Sequence, residues 1–196
     1  PKGVTLKEGP RAAWTDIFSG YPYAENGYND YFDIATKDAK VLLNTAFESI
    51  DLEKKEATIN SNKFKYDLIV NTISPDILFN RKIGKLNYLG REFHKIVFPV
   101  EQVFPKNVYF LYYANDEKFT RLVEYKKFTH HKSPTTLVGM EIPVKEGPGA
   151  YPLPFKKDRD LAKKYFNLFP KDCYSLGRAG SYMYGIDIDD CIREDM

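Results

Sequence analysis

Arginine and tyrosine residues flanked by glycine or proline are the side chains in this sequence best suited to bind a ligand. Arg121 lies in the stretch EKFTRLVEYKKF, residues 117–128, which otherwise has the pattern of a short β-strand. A planar guanidinium group matches phosphate oxygens, and a tyrosine supplies both a ring face and a hydroxyl donor. The other members of the set are Arg11, Tyr21, Tyr28, Tyr151 and the segment LGRAGSYMYGIDIDD, residues 176–190. Together these residue types would suit a nucleotide-sugar.

Each of these residues also has a structural interpretation. An arginine on a β-sheet is more often part of a cross-strand ion pair, and Glu124 or Asp116 could be the partner of Arg121. Tyrosines at such positions more often pack at the rim of a sheet. The residue pattern alone leaves both interpretations open.

No local motif of a common catalytic or metal site is present. The sequence lacks a G-x-G-x-x-G turn, a P-loop, a G-x-S-x-G elbow and an H-E-x-x-H pair. His130 and His131 are adjacent, so on a strand they would point to opposite faces, and no third ligand has suitable spacing. Cys173 would need a base to act as a nucleophile, and nothing in the sequence brings His94 to it. We therefore predict no metal site and no cysteine nucleophile.

The composition is that of an ordinary globular chain, with 43% hydrophobic and 29% charged residues among 196. The net charge is only +2 with both signs interspersed, so no nucleic-acid partner is predicted. Two cysteines, Cys173 and Cys191, are too few for a disulfide framework, which favours a cytoplasmic location. The longest apolar run, Val108 to Ala114, is too short to span a bilayer, so no membrane partner is predicted.

Period-2 hydrophobic patterns separated by Gly, Pro and Asn predict an α+β fold. A short helix is expected around Tyr31–Ile34, followed by a three-stranded meander that ends in a buried strand at Leu68–Thr72. Four β-rich runs between residues 87 and 144 predict an antiparallel sheet. The segment KDRDLAKKYFNLF, residues 157–169, has apolar residues at helical spacing and predicts an amphipathic helix.

Several segments, in order along the chain, resemble the C-terminal half of UDP-galactopyranose mutase. FTRLVEYKKF, residues 119–128, resembles the family's strand pattern aromatic-Thr-Arg-x-x-Glu-x-Lys-x-Phe. GAYPLPFKKDRD, residues 149–160, is similar to its Tyr-Tyr-Pro-x-Asn block, and LGRAGSYMYGIDID, residues 176–189, to its closing Gly-Gly-Arg segment. RAAWTDIFSGYPYAENGY, residues 11–28, and YDLIVNTISPDILF, residues 66–79, resemble two further family segments, the second of which ends in a turn beside the flavin.

The resemblance implies a flavoenzyme that interconverts the six-membered and five-membered ring forms of UDP-galactose. Arg121 corresponds to a family arginine that contacts the substrate diphosphate. Arg11 corresponds to a second phosphate-binding arginine, carried on a loop that closes over the substrate, and both arginines are expected to be catalytic. Tyr151 and Tyr184 correspond to tyrosines that line the sugar and phosphate side, and Tyr21 to one near the uridine-diphosphate path.

The resemblance also implies FAD, active in its reduced form, as the cofactor. Arg178 would contact the flavin dinucleotide, and Tyr182 of the same segment is assigned to the cofactor side. Asp187, or Asp189 if the spacing shifts, would cap a helix whose N-terminus points toward the cofactor. The implied chemistry is covalent catalysis with the reduced flavin as nucleophile and no net redox change. The expected partners are a UDP-sugar and, in the full-length protein, a second copy of the chain.

The resemblance divides the chain into four regions. Residues 1–35 form a mobile loop and short helix near the substrate, and residues 36–85 the returning strands of an α/β FAD-binding domain. Residues 86–150 form a substrate-facing antiparallel sheet, and residues 151–196 an amphipathic helix and an FAD-contacting C-terminal segment. Because the chain opens on Pro1 and lacks the family's nucleotide-binding fingerprint, we expect a fragment that is inactive alone.

Two departures from the family pattern indicate a divergent member whose sugar need not be galactose. Leu176 stands where a second glycine is expected, and Ala150 replaces the first tyrosine of the tyrosine-proline block. Two other functions also stay open. Another FAD-dependent oxidoreductase of the amine-oxidase-like group would not require Arg121 or Tyr151. A non-catalytic β-rich binding domain would use its arginines only in ion pairs.

Overall fold

The computed structural model describes residues 26–145 and 149–194. The helices are α1 (Asn29–Ala35), α2 (Pro75–Leu78), α3 (Lys126–Thr129), α4 (Lys156–Phe166), α5 (Gly177–Gly180) and α6 (Ile188–Glu194). The strands are β1 (Phe47–Asp51), β2 (Glu56–Ile59), β3 (Asn62–Lys65), β4 (Ile69–Asn71), β5 (Tyr88–Phe98), β6 (Phe110–Tyr112), β7 (Arg121–Glu124), β8 (Thr136–Val144), β9 (Gly149–Pro152) and β10 (Cys173–Ser175). The predicted α+β class is confirmed, with short helices and mostly antiparallel strands.

The described residues form two structural units. The first contains residues 26–41 and Arg91–Val144, and the second contains Leu42–Gly90, Lys145 and residues 149–194. The helix predicted around Tyr31–Ile34 is confirmed as α1 in the first unit. No helix among these described residues combines the length and the apolar character that a bilayer crossing requires.

In the first unit, an antiparallel sheet carries Arg121. β7 pairs with β6 on one side and with β8 on the other, and β5 lies beside β8. Arg121 stands directly opposite Glu141, and Val123 stands opposite Gly139. Because side chains alternate along a strand, Arg121, Val123 and Glu141 share one face of the sheet.

One of the four predicted β-rich runs, FTRLVEYKKFT at residues 119–129, forms a shorter strand than its pattern indicates. β7 stops at Glu124, and α3 then forms a single helical turn that ends at His130, whose φ of 54° is left-handed. The Lys126 ammonium group donates hydrogen bonds to the carbonyl oxygens of Ser133 and Thr135, which folds the following chain back. The sequence analysis considered His130 as part of a strand. The structure instead places it at the end of this helical turn.

The second unit contains the predicted three-stranded meander, built from β1, β2 and β3. Asn60 and Ser61 connect β2 to β3 with φ values of 47° and 62°, as a two-residue hairpin turn requires. Asn is among the residues that adopt this left-handed conformation most readily, so the turn forms locally.

The buried third strand predicted at Leu68–Thr72 is wrong in two respects. The hairpin turn places the third meander strand at β3, and β4 instead pairs in parallel with β10, with Val70 opposite Tyr174. Leu68 and Val70 are each 53% exposed among the described residues, so one face of this short parallel pair is open.

The core of the second unit lies against α4. The predicted amphipathic helix is confirmed, and Ala162 and Tyr165 point into the core. The Tyr165 hydroxyl group donates a hydrogen bond to the Gly84 carbonyl oxygen at 2.6 Å, which satisfies the polar end of a fully buried ring. Asp158 on the same helix accepts a hydrogen bond from the Asn87 amide at 2.7 Å. These contacts hold α4 against the segment that leads into β5.

Candidate functional site

The structure brings four of the predicted site residues together in the second unit. The guanidinium carbon of Arg178 lies 5.1 Å from the ring centre of Tyr151 and 5.9 Å from that of Tyr184. The two rings are 5.2 Å apart and tilted by 52°. Arg178 also donates to a carboxylate oxygen of Asp187 at 2.9 Å. We call Tyr151, Arg178, Tyr184 and Asp187 the arginine–tyrosine cluster.

Short elements of regular structure position this cluster. Tyr151 lies on β9. The next residue of this strand, Pro152, pairs with Tyr88 at the start of β5. Arg178 lies in α5, which Gly177 enters with a φ of 74° that favours glycine. Asp187 immediately precedes α6, and its backbone N–H donates to the Asp190 carboxylate at 3.0 Å, as in one half of a capping box. The predicted position of Asp187 at the start of the last helix is therefore observed.

The cluster offers a cation beside two aromatic rings at the protein surface. The Arg178 side chain is 35% exposed, and the Tyr184 residue is 53% exposed. Cation–π contacts and the ion pair with Asp187 hold the guanidinium group in one orientation. Such an arrangement can bind an anionic ligand that also carries a ring.

A cavity of about 650 Å³ lies in the same unit. Thr72 and Ser74, in the turn that follows β4, line it together with Ala179, the neighbour of Arg178. Three cationic side chains also line it, from Arg81, Lys85 and Lys145. The cavity size falls in the range of roughly 300–1,000 Å³ that is usual for small-molecule sites.

Buried polar groups form one wall of this cavity. The Asp76 carboxylate, which is 2% exposed, accepts hydrogen bonds from the Ser74 hydroxyl group and from the Leu86 backbone N–H. The Tyr88 hydroxyl group lies 2.8 Å from the Ser74 oxygen and 3.3 Å from the Ala179 carbonyl oxygen. Burial raises the pKa of Tyr88 to about 12, so its hydroxyl group is a neutral donor at ordinary pH.

Tyr182, which we assigned to the cofactor side, lies in the core of the second unit and is 4% exposed. Its hydroxyl group donates to the Asn87 carbonyl oxygen at 2.6 Å, and its ring meets the Tyr88 ring edge-on at 5.3 Å. Burial raises the pKa of this hydroxyl group. These contacts give Tyr182 a packing role, and its contact with a cofactor stays a prediction.

In the first unit, Arg121 is held by a carboxylate on the neighbouring strand. Its Nε and Nη2 groups both donate to Oε1 of Glu141, and its Nη1 group donates to the Tyr112 hydroxyl oxygen at 3.2 Å. The other oxygen of Glu141 accepts a hydrogen bond from Arg91 at 2.5 Å. The ion pair that we considered for Arg121 therefore exists, but its partner is Glu141 rather than Glu124 or Asp116.

The glutamate of the FTRLVEYKKF motif has a different role. Glu124 is fully buried and accepts hydrogen bonds from the backbone N–H groups of Val103 and Phe104 and from the Thr136 hydroxyl group. The Lys127 ammonium group lies 3.5 Å from the same carboxylate and donates to the carbonyl oxygens of Phe104 and Pro105. Glu124 and Lys127 thus fasten residues 103–105 to the sheet.

Some predicted residues lie outside the described part of the chain, and the environment of another opposes a catalytic role. Arg11 and Tyr21 lie outside the described residues, and their roles stay predictions. Cys173 is buried on β10, and burial raises the pKa of its thiol, which opposes nucleophilic reactivity. Among residues 26–145 and 149–194, no three His, Cys, Asp or Glu side chains come close enough to hold a metal ion.

Sequence reasoning missed Glu141, Arg91, Ser74 and Asp76. Glu141 and Arg91 are distant from Arg121 in the chain and meet it only through strand pairing, for which a single sequence carries no direct signal. Asp76 follows Pro75 at the start of α2. Acidic residues are common in the first turn of a helix, so this position by itself does not indicate a site.

Two comparisons with known proteins found a match. The family model for UDP-galactopyranose mutase matches residues 2–184. A solved structure described as reduced UDP-galactopyranose mutase is similar, with a TM-score of 0.69 and 16% sequence identity, over 87% of this chain and 49% of that chain. At this identity the likeness concerns the fold, and the chain spans about half the length of that protein. No curated protein sequence matches the chain.

Proposed function

Because the chain belongs to the UDP-galactopyranose mutase family, we propose that it supplies the diphosphate-binding and flavin-contacting residues of a mutase that interconverts UDP-galactopyranose and UDP-galactofuranose. One observation carries the proposal. Tyr151, Arg178, Tyr184 and Asp187, selected from two separate family-like segments, converge in a single cluster. The cluster supports a shared ligand, because it places a partly exposed cation beside two aromatic rings.

The residues of the second unit suit a flavin dinucleotide. The cavity lined by Ser74 and Ala179 has the size of a small-molecule site, and three cations around it favour a ligand with phosphates. Arg178 would hold part of the dinucleotide from the arginine–tyrosine cluster. The Tyr88 hydroxyl group donates its proton to the Ser74 oxygen and would fix that side chain at the cavity wall. Reduced flavin, when bound, supplies the nucleophile for covalent catalysis without net redox change.

The protein's own part in the reaction is to bind the leaving diphosphate and keep it nearby. Arg121 suits this task, because a strand-borne guanidinium group held by Glu141 and Tyr112 is presented in one orientation. We assign Arg11 a second contact with the diphosphate, and Tyr151 and Tyr184 the sugar and phosphate side. We further propose that the active protein is cytoplasmic, since two cysteines in 196 residues fit a reducing compartment.

The test is a conversion assay on the complete protein. The protein is incubated with UDP-galactofuranose and FAD under dithionite, and the formation of UDP-galactopyranose is followed by chromatography. Conversion that requires the reductant supports the proposal. A flavin-loaded protein that converts neither this substrate nor other UDP-sugars contradicts it, and hydrogen peroxide release with an amine would identify an oxidase instead.

A further inference from the structure

Tyr112 stands directly opposite Arg121 across the β6–β7 strand pair. Residues that face each other in an antiparallel pair carry their side chains on the same face of the sheet. The guanidinium carbon of Arg121 lies 5.6 Å from the centre of the Tyr112 ring. The ring of Phe110, two residues earlier on β6, meets the Tyr112 ring edge-on, with 5.1 Å between the ring centres. Tyr112 is therefore held by contacts along its own strand and across to the next.

The hydroxyl group of Tyr112 keeps its proton for another acceptor. A guanidinium group has only donors, so the Tyr112 oxygen must be the acceptor in its 3.2 Å contact with Nη1 of Arg121. A phenol is both a donor and an acceptor, and within residues 26–145 and 149–194 the structure gives the Tyr112 proton no acceptor. Tyr112 is 57% exposed, so a ligand on this face of the sheet can reach its O–H group.

Arg121 offers a second donor beside this hydroxyl group. Glu141 accepts from Nε and Nη2 of Arg121, whereas Nη1 is directed at Tyr112. Nη1 carries two hydrogens, and its contact in the described part of the chain uses one of them. The second N–H of Nη1 and the O–H of Tyr112 thus lie on atoms 3.2 Å apart. Two donors at this spacing match an acceptor with several oxygens on one centre, such as a phosphate group.

A phenol opposite Arg121 orients the guanidinium group without neutralising it. An acidic residue at this position would form a cross-strand ion pair and would repel an incoming anion. With Tyr112, the contacts on the Nη1 side are a hydrogen bond to a neutral oxygen and a cation–π contact. The positive charge on this side of Arg121 therefore stays available to an anionic ligand.

We propose that Tyr112 is a further ligand of the substrate diphosphate, and that its O–H group and Nη1 of Arg121 together bind one phosphate group. The inference rests on the proposed function, because it concerns the same diphosphate that Arg121 is assigned to bind. The hydrogen bond from Arg121 fixes the phenol oxygen, so the O–H group needs little reordering when the anion arrives. Tyr112 contributes a donor, and Arg121 contributes both a donor and the charge.

The experiment measures diphosphate binding apart from catalysis. Inorganic pyrophosphate and UDP are titrated calorimetrically into the complete protein at fixed ionic strength, with uridine as a probe that lacks phosphate. Tyr112→Phe removes only the hydroxyl group and keeps the ring, and it is made alone and together with Arg121→Met. Tyr174→Phe is the matched control, since Tyr174 is a 53% exposed tyrosine on β10 that is not assigned to the ligand. Thermal unfolding of each variant shows that it is folded.

Tyr112→Phe is expected to weaken pyrophosphate and UDP binding roughly tenfold, as the loss of one hydrogen bond to a charged acceptor does, and to leave uridine binding unchanged. In the protein that already carries Arg121→Met, the same substitution should still weaken pyrophosphate binding at least about twofold, because a direct ligand also acts without Arg121. Tyr174→Phe should match the unmodified protein with all three probes.

Two results would overturn the inference. Pyrophosphate affinity that is absent in the unmodified protein, or unchanged in a folded Tyr112→Phe variant, would remove Tyr112 from the site. An effect of Tyr112→Phe that vanishes once Arg121→Met is present would show that Tyr112 only orients Arg121. The conversion assay separates the two proposals: a kcat/KM that Tyr112→Phe leaves unchanged contradicts only the inference, and pyrophosphate binding that needs Tyr112 in a protein without mutase activity contradicts only the proposed function.

Discussion

The guanidinium carbon of Arg178 lies 5.1 Å from the ring centre of Tyr151. Arg178 belongs to α5 and Tyr151 to β9, so two family-like segments that α4 and β10 separate in the chain meet at one point. The ring of Tyr184 completes the contact from the loop that follows α5. The arginine–tyrosine cluster is thus a feature of the tertiary structure, built from residues that a linear motif presents separately.

Replacing Arg178 by methionine should destabilise the protein by about 1–2 kcal/mol. The substitution removes two cation–π contacts, each of roughly 0.5–1 kcal/mol when exposed, and a partly exposed ion pair with Asp187. The free energy of unfolding from urea denaturation measures the effect. Arg159→Met, an exposed arginine on α4, is the control, and an equal cost for both variants would argue against the cluster's contribution.

Replacing Arg121 by alanine should lower turnover by the complete protein at least about tenfold and leave its flavin content unchanged. The reason is that Arg121 is assigned to the leaving diphosphate and not to the cofactor, and charge stabilisation at a leaving group contributes strongly to catalysis. Turnover under reducing conditions and the flavin absorbance of the purified variant are the two measurements. Loss of flavin together with loss of turnover would indicate a structural role for Arg121.

Replacing Gly180 by alanine should cost about 1–3 kcal/mol of stability through overpacking. A Cβ atom at this position would lie 2.8 Å from the Asn71 carbonyl oxygen and 3.1 Å from the Ser175 hydroxyl oxygen. The backbone oxygen cannot move aside cheaply, because Asn71 belongs to β4 and its carbonyl group accepts the Leu176 N–H.

Gly185→Ala provides the matched control for Gly180→Ala in the same segment. Nothing lies within 4 Å of a Cβ atom at Gly185, and thermal unfolding of this variant should equal that of the unmodified chain. Equal melting temperatures for the two alanine variants would contradict the close packing of α5 against β4.

Replacing Glu124 by glutamine should destabilise the protein by about 1–3 kcal/mol, because an amide N–H₂ group would face donors that now bind the carboxylate. Burial by itself would raise the pKa of Glu124, but the N–H groups of Phe104 and Val103, the Thr136 hydroxyl group and the Lys127 charge lower it below its ordinary value of 4.5. The stability contributed by the ionised carboxylate is therefore present above pH 4.5 and is lost as the pH falls through the lowered pKa.

The pH dependence of unfolding checks this second part of the Glu124 prediction. The free energy of unfolding of the unmodified chain should decrease as the pH falls below 4.5, and that of Glu124→Gln should decrease less steeply. Parallel curves for the two proteins would mean that Glu124 does not titrate differently in the folded state.

The sequence by itself determined the features that depend on local pattern and residue chemistry. Helical spacing predicted α4, period-2 runs predicted the sheet strands, and both follow from side-chain burial along one element. The order of the family-like segments selected Tyr151, Tyr184, Arg178 and Asp187, which the structure then collects. These predictions needed the pattern within each segment and the order of the segments along the chain.

The tertiary structure alone decided which distant residues meet. The partner of Arg121 is Glu141 and not the nearer Glu124, because the β7–β8 register places Glu141 opposite Arg121 and turns Glu124 to the other face. The parallel pairing of β4 with β10 likewise depends on a long connection that local periodicity does not encode. Register and strand order are set by the summed packing of a whole unit, and this is why they, and the pairing of Arg121 with Glu141, could not be read from the sequence.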